Sequence, residues 1–385
     1  MKTLAWIAFV FVACSSMASG VIDTTRICSY NALKYSAANE DGRIPHFATV
    51  MNAIRPDILI CQEVEDGTLG PRFIADVLTY APFAATPFID GPDTDIQLLY
   101  DQTRFSLLGQ RRIKTALRDI AEFTLLVIPS NGMSADTLVI YGMHLKASDG
   151  FETERSKEID SLLKHMVHKQ YVVACGDMNF YAPTEPAYVK LVGASLLDPL
   201  GANWRRNSSS HAHFYTQCPR KDQQPSCGGG VDGGMDDRFD FIFLSEELSS
   251  KVVPGSYTSF GNDGQARLNS SILDPPNTIV SQQIAEALHC ASDHLPVFVD
   301  LLIGDVQAGV DPLLAPSFTV SFSGTQIVVT GCMIGSALTV HDMNGRLVKT
   351  VSVTDPTMQI DASTLPNGFY IVSQLTATAG VSIVR

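Results

Sequence analysis

The stretch YVVACGDMNF, residues 171–180, decides the fold class. Its first part, residues 171–176, has the apolar, β-rich make-up of a strand. Asp177 and Asn179 break that pattern, so the strand runs into polar groups at one end. Just upstream, Ile159, Leu162, Leu163, Met166 and Val167 recur at spacings of three and four, which predicts a helix over 154–169. The same alternation extends outward. Strands are expected at 26–30, 57–61, 96–100, 123–128, 137–144, 239–244 and 297–302, and a second helix at 47–54, stopped before Pro56. Residues 24–304 are therefore α/β or α+β and not all-helical.

The whole chain has 385 residues, 45% of them hydrophobic and 17% charged, enough to bury a large core and far from a disordered composition. Its size favours two folded units. At the N-terminus Lys2 precedes an apolar run from Leu4 to Ala13 and small residues from Ser15 to Gly20, the pattern of a secretory signal peptide over 1–20. That run is short of the roughly 20 residues of a spanning helix, and no later segment replaces it. Around Asp311 to Ser317, DPLLAPS marks a linker, and the remainder of the chain reads as short strands. The expected division is a signal peptide at 1–20, a body at 21–304, a linker at 305–316 and a small all-β sandwich domain at 317–385.

The formal charge is −13, from 40 acidic and 27 basic residues. This excess disfavours a protein that grips nucleic acid by bulk positive charge, but not a phosphate enzyme that works through a bound cation. Residues 312–385 hold three basic and three acidic residues, so the acidity belongs to the body. Loss of the signal peptide removes Cys14 and leaves seven cysteines, an odd number that cannot all pair internally. Cys61 and Cys175 lie in apolar strand-like runs and read as small buried hydrophobes. Cys218 and Cys227 bracket the polar loop CPRKDQQPSC and are the expected disulfide.

Several strands end on groups that suit a hard cation and a phosphate. Asn31 follows RICSY, and Glu63 follows PDILICQ. His144 and Lys146 lie in YGMHLKAS, Asp177 and Asn179 in VVACGDMNF, Asp240 in DDRFDFIF, and Asp293 with His294 in ASDHLPVFVDL. Singly, each is an ordinary turn residue, solvated carboxylate or structural histidine. Together they place carboxylate, carboxamide and imidazole groups at six junctions of strand and loop, where sites are built. Phosphodiester hydrolysis uses such groups. Mg²⁺ takes oxygen ligands, water needs a base or positioning acceptor, and phosphoryl oxygens need donors. Zinc fits worse, since no Cys-x-x-Cys or His-x-x-x-His spacing occurs. A Gly-x-x-x-x-Gly-Lys phosphate loop is also lacking, and GGGVDGG follows no suitable strand.

The ordered set SYNAL, ICQEVE, YGMHLKAS, CGDMNF, DRFDFIF and SDHLPV resembles the metal-dependent endonuclease/exonuclease/phosphatase superfamily that includes DNase I. It covers residues 24–304. The resemblance implies a four-layer α/β sandwich, two stacked mixed sheets flanked by helices, with the site at one rim. It further implies that Asn31 and Glu63 bind metal, with Asp293 of the closing Asp-His pair counted with them. Asp177 and Asn179 would activate or position water and hold the scissile phosphate, and His144 would contact the phosphate as candidate acid. His294 would be oriented by Asp240, since such a pair fixes the tautomer and raises basicity. The implied cofactor is Mg²⁺, with Mn²⁺ or Ca²⁺ as alternatives. Lys146 reads equally as a substrate contact or a strand-edge lysine, and Arg155 as structural. Arg205, Arg206, Arg220 and Lys221 supply loop charge that could meet a polyanion.

The tail segments SALTVHDMNGRLVKTVSV and IDASTLPNGFYIVSQLTATAGVSIVR resemble the C-terminal sorting domain of the bacterial type IX secretion system, with Asn344-Gly345 as a hairpin signal. A generic β-sandwich accessory module is the plain alternative. The combined expectation is a secreted or cell-surface bacterial phosphodiesterase, DNase I-like and acting on nucleic acid, DNA first. It would be a monomer, with the secretion machinery as its partner through the tail. One alternative is a phosphatase or phospholipase C-type hydrolase of an inositol phosphate or sphingomyelin-like head group. Another is a non-catalytic surface or adhesion protein on the same fold.

Overall fold

The computed structural model describes residues 24–303 and 319–383, apart from residues 41, 129–135, 167–170, 333–336, 343–345 and 375–376. The expected signal peptide and linker lie outside the described residues. The chain divides into two compact units, one of Asp23–Val306 and one that contains Gln307–Arg385.

In chain order the body has β1 (Thr25–Tyr35), α1 (Ile44–Ile54), β2 (Ile58–Val64), α2 (Leu69–Asp76), β3 (Phe83–Ala85), β4 (Asp95–Asp101), β5 (Phe105–Ile113) and β6 (Ile120–Val127). It continues with β7 (Thr137–His144), α3 (Glu152–His165), β8 (Tyr171–Asp177), α4 (Pro186–Gly193), β9 (Leu196–Leu197), β10 (Asp240–Ser245), α5 (Glu246–Ser249), β11 (Thr258–Ser259), α6 (Gln282–Ala291) and β12 (Val297–Leu301). Two six-stranded sheets form, in the orders β11-β12-β1-β2-β4-β3 and β5-β6-β7-β8-β10-β9. β1 and β2 are parallel, as are β7 and β8, and α1 and α3 are the crossovers such pairs require.

Side-chain alternation explains the layers. Along β8, Tyr171, Val173 and Cys175 enter a core shared with Ile27, Ile58, Ile60 and Leu98 of the other sheet. Val172 and Ala174, on the opposite face, join a core that holds Ile159 and Leu162 of α3 and Phe47 and Val50 of α1. Each such aliphatic side chain contributes about 1.5–3 kcal/mol on full burial. Helix α1 packs with α2 and α6, and α3 with α4. The body is thus a four-layer α/β sandwich.

α3 starts earlier than its periodicity indicates and stops at His165, since Met166 is already extended (φ −60°, ψ 130°). Strand β5 and helices α2, α4 and α6 are not among the elements expected. β5 is an edge strand with mixed exposure, and the three helices are short.

The expected Cys218–Cys227 disulfide is not formed. Cys227 pairs with Cys290 at the end of α6, across 63 positions. Cys218 is a buried free thiol directed at the Val231 carbonyl, 3.3 Å away. The cause is the loop's packing onto α6. The buried Arg220 guanidinium donates to the carbonyls of Gly229, Cys227, His289 and Cys290, tying the loop to the helix end and bringing Cys227 against Cys290.

The tail holds β13 (Thr319–Ser323), β14 (Gln326–Thr330), β15 (Ala337–Asp342), β16 (Leu347–Ser352), β17 (Thr357–Asp361), β18 (Gly368–Gln374) and β19 (Ala377–Ile383). They form antiparallel sheets in the orders β13-β14-β17 and β16-β15-β18-β19. Ile327, Val329, Leu338, Val340, Ile360 and Val372 lie in their core. The Asn344-Gly345 turn lies outside the described residues, while β15 and β16 on either side of it pair antiparallel, as a hairpin requires.

Candidate active site

Strand direction gathers the polar groups at one rim. Asn31 lies near the end of β1, opposite Gln62 of β2, which precedes Glu63. His144 ends β7 opposite Asp177, which ends β8. β10 runs against β8, so its first residue, Asp240, pairs with Asp177. β12 runs against β1, so His294, just before it, meets the same rim. Carboxyl ends of parallel strands are where open α/β sheets bind ligands.

The backbone is specialised here. A Cβ on Gly176 (φ +139°) would lie 1.9 Å from the Met143 carbonyl oxygen, so only glycine lets β8 approach β7 directly before Asp177. Glu63 (φ 54°) and Asn179 (φ 52°) take the left-handed region, which costs on the order of 1–3 kcal/mol for such residues and is held by surrounding structure.

The side chains meet closely. The Asn31 amide donates to Glu63 Oε1 (3.0 Å) and Asp177 Oδ2 (3.1 Å), and its Oδ1 accepts from the Leu33 N–H (2.9 Å). Glu63 Oε2 accepts from the Lys34 N–H. His144 Nε2 is 3.4 Å from Asp177 Oδ2, and its Nδ1 is 3.9 Å from Glu63 Oε1. Asn179 donates to Asp177 Oδ1 through both its amide (2.8 Å) and its backbone N–H (3.2 Å). His294 Nδ1 donates to Asp240 Oδ2 at 2.8 Å, and its Nε2 is 3.6 Å from Asp177 Oδ2. Asp293 is placed apart from this contact set. Its Oδ2 accepts from the Val231 N–H (2.8 Å), where Gly230 leaves room that a Cβ would fill, and its Oδ1 is buried without a partner.

Burial and neighbouring charge set the proton affinities. Burial pushes the Asp177 carboxyl up to about 7, against the pull of His294. It also raises Glu63, with Asp293 adding to the effect. His144 is held well below the ordinary histidine range by burial, then by Arg118 and His294. For His294 burial works downward, but Asp240 and Asp177 carry it well above that range.

Ligating atoms of Glu63, His144 and Asp177 lie within 4.8 Å of one another. Two carboxylates crowded together with raised proton affinity, beside a buried His144 Nδ1 that lacks a hydrogen-bond partner, fit a divalent cation. The site can therefore hold a cation, an acceptor for a water proton and an oriented imidazole within one contact network.

Some participants had no signal in the sequence. The Gln217 side-chain amide lies 2.6 Å from His294 Nε2, from a loop with no motif. Arg118 acts on both Glu63 and His144 from a turn after β5. The structural reading of Arg155 agrees with its contacts. It is buried, paired with Glu185 (2.9 Å), and donates to the Lys146 and Ser148 carbonyls behind His144. Arg220, expected as loop charge for a polyanion, is instead consumed by carbonyls, and Arg206 pairs with Asp237 (2.8 Å).

Solved structures with a similar chain course include TDP2 from D. rerio complexed with single strand DNA product (16% identity, TM-score 0.48, covering 72% of this chain and 98% of that one). Another is the human Nocturnin catalytic domain with bound sulfate anion (20%, TM-score 0.45, 72% and 93%). A third is an endonuclease/exonuclease/phosphatase from Beutenbergia cavernae DSM 12333 (16%, TM-score 0.43, 94% and 100%), whose name is that of the family the six motifs resemble. Likenesses this distant carry no weight for activity, which rests on the rim geometry. No curated protein matches the chain.

The tail gives a sequence-level match. Residues 317–383 fit the family described as the secretion system C-terminal sorting domain. A sorting domain indicates export, to the cell surface or beyond it. Among the described residues no helix is long and apolar enough to cross a membrane.

Proposed function

We propose that this protein is an exported, divalent-cation-dependent phosphodiesterase, DNase I-like, that hydrolyses nucleic acid, with DNA as the first substrate to test. The observation that carries the reading is the convergence of Glu63, His144 and Asp177 within 4.8 Å beside an Asp240–His294 pair at 2.8 Å. Glu63 and Asp177 would hold the cation, with His144 alongside. Mg²⁺ suits oxygen donors best, and Mn²⁺ or Ca²⁺ are its alternatives. Such an ion supplies neutralisation of phosphoryl charge and a lowered water pKa.

The chain's own groups do the rest. Asn31, bonded to both Glu63 and Asp177, sets their spacing. Asp177, fixed by two hydrogen bonds from Asn179, positions the attacking water and accepts its proton. Asp240 keeps the proton of His294 on Nδ1 and favours the imidazolium, which answers charge on a phosphate oxygen. His144, kept neutral by burial, can offer one ring N–H as a hydrogen bond to the phosphate.

The test is a hydrolysis panel with Mg²⁺, Mn²⁺ and Ca²⁺ over supercoiled DNA, RNA, bis-p-nitrophenyl phosphate and sphingomyelin vesicles. Nicking of DNA is expected. Phosphocholine release without DNA cleavage would move the substrate to a lipid head group. No hydrolysis in any metal would leave the non-catalytic surface protein.

A further inference from the structure

We infer that a cavity beside His144 is a second phosphate subsite, which takes a backbone phosphate flanking the scissile one. This rests on the phosphodiesterase reading above and narrows its substrate to a polymer with more than one phosphate. The cavity has a volume of about 560 Å³ and lies between the turn after β5, with Lys114 and Leu117, and the segment after β7, with Lys146, Glu154, Lys157 and Ser161.

Its place relative to the site is given by two residues. Lys146 stands two positions past His144, the last residue of β7. Arg118, next to Leu117, donates to the carbonyl of Leu145, the residue after His144 (3.4 Å). A chain whose scissile phosphate sits at Glu63, His144 and Asp177 therefore meets this cavity as it leaves the rim.

The lining chemistry suits an anion. Three ammonium groups, of Lys114, Lys146 and Lys157, border the cavity in a protein of net charge −13. Glu158 also borders it, but is buried and turned inward to accept from the Lys146 N–H (2.9 Å), leaving Glu154 as the exposed lining carboxylate. Lys114 leans on the buried Asp119 (2.6 Å) and keeps its side chain 75% exposed, while the Lys146 ammonium is held over the Phe151 ring at 4.1 Å. Lys157 is exposed on the α3 face that also carries Glu154 and Ser161, three and four positions away. Lys146, held over Phe151, together with the exposed Lys114 and Lys157 can hold a phosphate as point charges.

The experiment compares the full protein with Lys157→Ala and Lys114→Ala, singly and together, and with Lys157→Arg. It measures kcat/KM on bis-p-nitrophenyl phosphate, which has a single phosphate, and on an oligonucleotide, with melting temperatures as the folding control. The double variant should lower the ratio of oligonucleotide to bis-p-nitrophenyl phosphate kcat/KM about tenfold, and each lysine lost should flatten the salt dependence for the oligonucleotide by about one unit of slope. Lys157→Arg should restore most of the ratio. An unchanged ratio, in a wild type that hydrolyses both substrates, overturns the subsite and leaves the phosphodiesterase reading standing. If the wild type hydrolyses neither diester, the parent reading fails and the subsite with it.

Discussion

In the body, Asn31, His144, Asp177, Asp240, Asp293 and His294 are each 6% exposed or less, gathered at one rim. In the tail, every buried residue among those described, from Ile327 to Ile383, is aliphatic or cysteine except Tyr370, whose hydroxyl donates to the Pro366 carbonyl. Burying a polar atom without a partner costs about 1–3 kcal/mol, and His144 Nδ1, Asp240 Oδ1 and Asp293 Oδ1 are all in that state. The tail shows that this chain can build a core without such groups. At the rim His144 and Asp240 carry such atoms inside the contact network of Glu63, Asp177 and His294, which marks a place kept for chemistry at the expense of stability.

The comparison breaks most visibly on the metal. Treatment with EDTA should abolish DNA hydrolysis by the intact protein, and excess Mg²⁺ should restore it; activity that persists after exhaustive chelation would remove the cation from the rim. Next in size, Glu63→Gln and His294→Ala should each lower kcat by about 10²–10³, and Asp240→Asn by about 10–100, with melting temperatures near wild type. Retention of full activity in Glu63→Gln would contradict the assigned role.

A stability test sharpens the contrast. Arg155→Ala leaves Glu185 buried and unpaired, so denaturant unfolding should show a loss of about 3–5 kcal/mol in the body. The smallest effect on hydrolysis belongs to the tail. Leu338→Ala should destabilise the tail by about 2–5 kcal/mol while DNA hydrolysis stays within twofold, read by thermal unfolding beside an activity assay. A parallel fall in activity would show that the neutral tail takes part in catalysis.

Much of this was legible beforehand. β7 occupies residues 137–144 as its apolar pattern indicates, because a strand buried on both faces is apolar throughout. Asn31 within β1 and the polar groups at the ends of β2, β7 and β8 stand out against those runs. α6 is marked locally by Ser281, which caps the Ile284 N–H, and by its apolar face, but its ten residues give too short a run to stand out among the loops around it. Gln217 was invisible, since nothing local distinguishes it from other loop amides; only its 2.6 Å contact with His294 does. The Cys218–Cys227 expectation failed because closeness in sequence is not closeness in space, and Arg220 anchors the loop against α6.

By itself the sequence determined the alternation of strands and helices, the acidic body, the neutral β-rich tail and the polar residues at strand ends, because these are local patterns of period and composition. Only the tertiary structure decided that Glu63, His144 and Asp177 form one cluster, that Asp240 reaches His294, and that Cys290 takes Cys227. Those meetings depend on strand register and on the stacking of two sheets, which join residues far apart in the chain and leave no periodic trace within it.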